Sequence, residues 1–202
     1  DIGPSDRKSG PGNAGPSLTL GSASPRRREL LAQIGITPHN IVPAEIDETP
    51  LRNEQPRHYV RRMAREKALA LATIQRGAIP SADTTVVAGR RILGKPADAN
   101  EAAEFLRLLS GRRHLVLTAV ALGHAGRLHE RLVETTVRFR PLNAAEIDDY
   151  LACGEWQGKA GAYAIQGRFE SHIQHLSGSF SGVRGLPRFE NARMLGEFGG
   201  VA

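Results

Sequence analysis

The chain has 202 residues, 40% of them hydrophobic and 24% charged, the balance of one globular domain with a sizeable core. No apolar run approaches the ~18 residues of a membrane-crossing helix, and no apolar stretch ahead of Leu18 resembles a signal peptide. The single cysteine, Cys153, excludes an internal disulfide and any multi-cysteine metal site, which fits a reducing, cytoplasmic setting; the net charge of +6 points to anionic partners.

Residues 1–16, rich in Gly, Pro and polar side chains, can bury almost nothing and read as a disordered tail, with 17–202 as one domain. Leu18-Thr19-Leu20 reads as a short buried strand. Ser24-Pro25 opens a helix, Ser as N-cap and Pro at the first helical position, with Leu30, Leu31 and Ile34 as its apolar face and Gly35 as its end. A second strand falls around Asn40 to Pro43. From Pro56 to about Ile74 the stripe Val60, Met63, Ala64, Lys67, Ala68, Leu71 has the spacing of one helix face. Thr84 to Ala88 is a β-branched strand. Ala102, Phe105, Leu106 and Leu109 mark a helix that stops before Gly111. Two longer strands cover about 113–122 and 130–140, the second with Val133, Thr135, Val137 and Phe139 on one face. Asn143 and Glu146 have the spacing of a capping box for a helix through Leu151. A Gly-rich stretch, 158–167, precedes a last strand and a helix after Pro187. The whole predicts one mixed α/β domain, either undivided or in two lobes with a cleft between them.

Several charged residues are poorly explained by stability alone. Arg26-Arg27-Arg28 occupies the first turn of a helix, where the macrodipole is already positive; either an anion binds there or the turn is a solvated basic surface. Lys67 lies inside an apolar stripe, so it lines a cleft or snorkels to water. Asp83 begins an apolar strand, either at a ligand cleft or in a turn that bonds its own backbone. Gly94-Lys95-Pro96 presents an ammonium to phosphate or is a plain β-turn. The segment from Gly158 to Gly167 lets backbone N–H groups approach a ligand, or is a loop; it does not match a P-loop. The seven histidines show no zinc spacing, His172 and His175 read as structural, and Cys153 has no nucleophile motif around it.

Taken in order, Leu20-Gly-Ser22-Ala-Ser24-Pro25-Arg26-Arg27, Asp47-Glu48, Ala64-Arg-Glu-Lys67-Ala68, Ala82-Asp83-Thr84, Gly94-Lys95-Pro96, Leu109-Ser110-Gly111, Lys159-Ala-Gly161-Ala-Tyr163-Ala-Ile-Gln166-Gly167 and Gly185-Leu186-Pro187 resemble the Maf family of nucleotide pyrophosphatases. Any one is weak; the ordered set, spanning about 18 to 197, is specific. The resemblance implies an elongated mixed sheet with flanking helices and a cleft between two lobes, similar to inosine triphosphate pyrophosphatases. It also implies a homodimer, and a divalent cation, Mg or Mn, held by Glu48 and Asp83. By the same resemblance Asp83 is the catalytic base, with Glu48, Lys67 and Lys95 as the other charged catalytic positions. Ser22, Arg26, Arg27, Thr84 and Gln166 would bind substrate. Arg26, Thr84 and Gln166 match the positions that sort members by base and look like the branch acting on dTTP and UTP; the 7-methyl-GTP branch carries Trp, Gln and Glu there. Pyrophosphatases of another modified nucleotide such as 7-methyl-GTP, and a non-catalytic nucleotide-binding regulator of septum formation, are the alternatives. A nucleic-acid-binding domain is disfavoured, with 5% aromatic residues and no binding motif. Arg184 and Arg188 flank Gly-Leu-Pro where the family is usually apolar, and Gly158, Phe169 and His172 also depart from its pattern.

Overall fold

Long β-branched and apolar stretches build the scaffold. In a computed structural model, which describes residues 17–197, they form a five-stranded sheet. Its strands are β3 (Ile79–Ala88), β4 (Arg91–Leu93), β5 (Arg113–His124), β6 (Arg127–Phe139) and β7 (Ile173–Ser177), in the order β4-β3-β5-β6-β7 and antiparallel throughout. A separate parallel pair, β1 (Thr19–Leu20) and β2 (Asn40–Ile41), leans on the start of β3. There Leu18 bridges Ala78, and the Gly21 N–H donates to the Pro80 carbonyl at 2.9 Å. The expected tail, residues 1–16, lies outside the described residues.

Directly paired residues of an antiparallel sheet point to the same face, so the register separates two sets of side chains. Asp83, Thr85, Leu117 and Ala119 share one face. The helix α2 (Pro56–Ala72) covers it, with Val60, Ala64 and Ala68 packed on Val87, Leu117 and Ala119. Thr84, Val86, Val116 and Thr118 share the other face. Two distinct clusters cover that side. One joins Ala82, Val120 and Leu122 to α1 (Pro25–Ala32) and α6 (Arg188–Gly196) through Leu30, Leu31 and Met194. The second joins Val86 and Val116 to α3 (Ala99–Leu109) and α4 (Ala144–Ala152) through Leu106, Phe139 and Ile147. The short α5 (Phe180–Val183) packs on β5 and β6. The mixed α/β class therefore holds, with the cores beneath α1 and α6 and beneath α3 and α4 built on the same face of the sheet.

Local chemistry accounts for most boundaries. Pro25 and Pro56 begin their helices where a missing N–H costs nothing. Asn143 and Glu146 form the full capping box. Ser24 is the N-cap residue of α1 but makes no side-chain capping bond; its own N–H donates to Ser22 Oγ at 3.2 Å. The departures from the family pattern are accommodated locally. Arg184 Nη2 donates to Glu29 at 3.2 Å and Arg188 Nη1 to Gln33 at 3.1 Å, tying the Gly-Leu-Pro turn to α1. Phe169 is buried among Phe139, Tyr150 and Tyr163. Gly158 has φ +67°, a conformation that favours glycine.

His114 is a titratable residue buried in the core. It is buried on β5, its Nε2 is 2.9 Å from the Tyr163 hydroxyl, and its Nδ1 has no partner. Burial pushes its pKa down to about 4. The unfolded chain binds the proton near pH 6.5 and the folded chain does not, so this stability is present above pH 6.5 and is lost as pH falls toward 4. Urea unfolding of the protein and a His114→Gln variant should show their stability difference shrinking in the wild type's disfavour by about 3 kcal/mol between pH 7 and pH 4. A pH-independent difference would mean that the imidazole is hydrated.

Candidate active site

The edge of β3 explains where the cleft opens. Near its start that edge is held by Gly21, and from Val86 onward it pairs with β4. Among the described residues no strand pairs with it between Pro80 and Val86. Asp83 and Thr84 sit in this gap and send their side chains to opposite faces of the sheet. Asp83 thus stands in the middle of a ten-residue strand, not at its start as the sequence suggests. The break in edge pairing supplies the access that a strand end was expected to give.

A cleft of about 620 Å³ opens here, lined by every residue to which the resemblance gives a catalytic or binding role: Ser22, Arg26, Arg27, Glu48, Lys67, Asp83, Thr84, Lys95 and Gln166; Arg28, the third of the arginine run, is exposed outside it. At its centre, Lys67 Nζ lies 2.8 Å from Asp83 Oδ1 and 2.8 Å from Glu48 Oε1. Lys67 is buried on the inner face of α2, so it does not snorkel to solvent; its ammonium is neutralised by these carboxylates. Asp83 Oδ2 has a single long contact, to Thr85 Oγ1 at 3.4 Å, and so keeps lone pairs for the cleft. Glu48 comes from an irregular segment strapped to α2. Tyr59 donates to the Glu48 carbonyl at 2.9 Å, and Arg62 bonds the Thr49 carbonyl at 3.1 Å while gripping Glu54 in a bidentate pair. Burial pushes the Glu48 carboxyl up, but Lys67, Lys95 and Arg27 together outweigh it and hold the group below its ordinary value. Burial, with Asp83 and Glu48 nearby, pushes the Tyr59 phenol up to about 12.

Cations dominate the rest of the lining. Arg26, Arg27, Lys67, Lys95, Lys159 and Arg184 face only Glu48 and Asp83. Arg27 is a brace: its Nε donates to the Gly185 carbonyl at 2.8 Å and its Nη1 to Ser22 Oγ at 3.0 Å. Because Ser22 Oγ also accepts from the Ser24 N–H, its own proton is left to donate into the cleft. Arg26 Nε and Arg184 Nε are buried without partners. Burial first, then Arg27 and Arg184, depress the Arg26 guanidinium; burial and then Arg26 depress the Lys159 ammonium. Positive groups crowded this way, with donors unsatisfied, are arranged for an anion. Arg184 and Lys159 were not among the residues singled out for binding; the signal in Arg184 was a guanidinium where apolar neighbours were expected.

The opposite side of the gap is less polar. Thr84, Val86, Val116, Tyr163 and Ala164 line it, with Gln166 bringing an amide that can both donate and accept. Gly161 holds this wall against β3. Its φ is +68°, its N–H donates to the Gly94 carbonyl at 3.1 Å, and a Cβ there would sit 2.9 Å from both methyls of Val86. The Gly-rich stretch is therefore fitted to the sheet and to the Lys95 turn.

The donor set also bears on metal. Glu48 and Asp83 reach the same ammonium nitrogen, so their nearest oxygens lie within about 6 Å of each other. Hard oxygens at this spacing fit a divalent cation such as Mg or Mn, with some closing-in of the carboxylates. Among the described residues no group of three or more His, Cys, Asp and Glu could hold a metal by itself. Ligands from a bound phosphate would have to complete the shell.

Comparison with known proteins gives a consistent picture. The Maf-like protein family matches residues 17–198. The dTTP/UTP pyrophosphatase of Cereibacter sphaeroides is 56% identical over 183 residues, covering 91% of this chain and 95% of that protein. The dTTP/UTP pyrophosphatase of Sphingopyxis alaskensis is 55% identical over 185 residues, covering 91% and 97%. That of Rhodospirillum rubrum is 53% identical over 196 residues, covering 94% and 93%. Among solved structures, a nucleoside-triphosphatase / dITP/XTP pyrophosphatase from Mycobacterium abscessus is 17% identical, covering 63% of this chain and 75% of that one at a TM-score of 0.40, too loose a likeness to argue from.

Proposed function

The chain belongs to the Maf family, and from that premise we propose that it hydrolyses dTTP and UTP to the monophosphate and pyrophosphate. The observation that carries the proposal is the meeting of Glu48, Lys67 and Asp83 at one point inside a cation-lined cleft. Phosphoanhydride cleavage needs an aligned water and neutralised charge more than covalent chemistry. Arg26, Lys95, Lys159 and Arg184 bind the polyphosphate, and Ser22 donates its hydroxyl proton to a phosphate oxygen. Asp83 Oδ2 orients the attacking water and receives its proton, while Lys67 fixes the carboxylate through Oδ1. Gln166 and Thr84 meet the base.

Glu48 and Asp83 would also hold the divalent cation, which when bound supplies Lewis-acid polarisation of the phosphate. No described helix is long and apolar enough to cross a membrane. A cytoplasmic, homodimeric enzyme completes the proposed assignment.

The test is pyrophosphate release from a panel of canonical and modified triphosphates with Mg or Mn, for the protein and its Asp83→Asn variant. We expect dTTP and UTP to lead, the products to be monophosphate and pyrophosphate, and the variant to lose on the order of 10²- to 10⁴-fold in kcat at unchanged fold. Full turnover by the variant would remove Asp83 from the role of base. Stepwise release of single phosphates would overturn the reaction assignment.

A further inference from the structure

Thr118 is wholly buried on β5, away from the cleft, and directly opposite Thr84 on β3. Its hydroxyl donates to the Gly182 carbonyl at 2.7 Å, and it lies 3.0 Å from the Thr84 hydroxyl. A hydroxyl carries one proton. With that proton committed to Gly182, Thr118 can only accept from Thr84. The Thr84 proton is then committed as well, and Thr84 turns only lone pairs to the cleft. Nearby Ser22 has the reverse polarity, with its proton free.

We propose that Thr118 is a positioning residue which, through this relay, makes Thr84 an obligate acceptor and so selects bases with a ring N–H. The inference rests on the nucleotide-binding reading above and deepens it. A lone-pair-only group repels phosphate oxygens, so its partner must be a donor. Thr84 lies on the sheet face opposite Asp83 and shares that face with Val86 and Val116, beside the less polar wall where a base fits. Uracil and thymine present N3–H as a donor. Cytosine presents N3 as an acceptor and would oppose lone pair to lone pair. A site built to bond a donor rejects the analogue lacking it, because its buried polar group is left unpaired.

Thr118→Val removes the relay while keeping the side chain's shape, and Gly182 retains the Gly185 N–H at 2.9 Å on its carbonyl. Thr118→Ser preserves the relay. Calorimetric Kd values for UMP and CMP give the selectivity without requiring turnover, and pyrophosphate release from UTP and CTP is measured in parallel. The protein and Thr118→Ser should prefer the uracil nucleotide by at least about tenfold, and Thr118→Val should lose most of that preference, its freed Thr84 hydroxyl now able to donate to cytosine N3. If Thr118→Val does not fold, Thr84→Val, at a partly exposed position, should abolish the same preference. A wild-type protein that binds both monophosphates equally, or a folded Thr118→Val or Thr84→Val that keeps the uracil preference, overturns the inference. Loss of pyrophosphate release with uracil selectivity intact would overturn the proposed reaction and leave the relay standing.

Discussion

Replacing Lys67 by methionine should lower kcat/KM by roughly 10²- to 10⁴-fold while leaving the protein folded. Methionine suits the stripe formed by Met63, Ala64 and Leu71, so packing survives. The charge balance does not. Glu48 and Asp83 lose the ammonium that each meets at 2.8 Å and are left facing one another. A neighbouring carboxylate disfavours the charged form, so protonation of Glu48 shifts upward. In the wild type, Glu48 is held below its ordinary value, so its charge is kept until pH falls well into the acid range. In the variant, burial and Asp83 act on Glu48 unopposed by Lys67. The acid limb of the pH–rate profile should move to higher pH, and kcat/KM across pH 4–9 reads this directly. An unmoved acid limb, even with reduced rate, would mean that Lys67 acts on the phosphate alone and not by holding the carboxylates.

The second large effect is expected at Gly161. Gly161→Ala should cost about 2–5 kcal/mol, combining a left-handed backbone for a non-glycine residue with overpacking against Val86. For a domain of this size that is a Tm lower by roughly 5–15 °C. Gly158→Ala is the control: its φ of +67° nearly equals the +68° of Gly161, but nothing lies within 4 Å of an added Cβ. It should lose only the backbone part, about 1 kcal/mol. The two melting curves thus separate conformation from contact. Gly161 also touches the turn that carries Lys95, through the Gly94 carbonyl, so KM should rise in Gly161→Ala. Equal destabilisation in both variants would show that Val86 yields to the added methyl.

Much of the fold was legible because its elements obey simple periodicities. The apolar stripe of α2, the capping box of α4 and the alternation along β6 all read directly from residue spacing. The sheet around Asp83 did not. Pro80, Ser81 and Asp83 are poor strand formers, and β3 extends through them because β5 pairs continuously from Ile79 to Val87, a tertiary constraint with no local signature. The strand β4 and the four-residue helix α5 are short enough that composition does not distinguish them from loop. For the site, residue types and chain order suggested which side chains belong together, but not which of them act on one another. Arg27 illustrates this. Its place in an arginine run suggested an anion site or a solvated basic turn, yet it joins Ser22 to the Gly185 turn, which lies 158 positions beyond it. Nothing near Thr118 in the sequence marks it out; its relevance comes from the register that sets it against Thr84.

The unpaired stretch of β3 has one more consequence. A bare strand edge normally invites another chain to add on, the first step toward fibres. Here the unpaired backbone is recessed in the cleft and flanked by cations, so a neighbouring polypeptide cannot lie flat against it. The recess that admits a slender anionic guest also shields this stretch of strand edge from pairing with another chain.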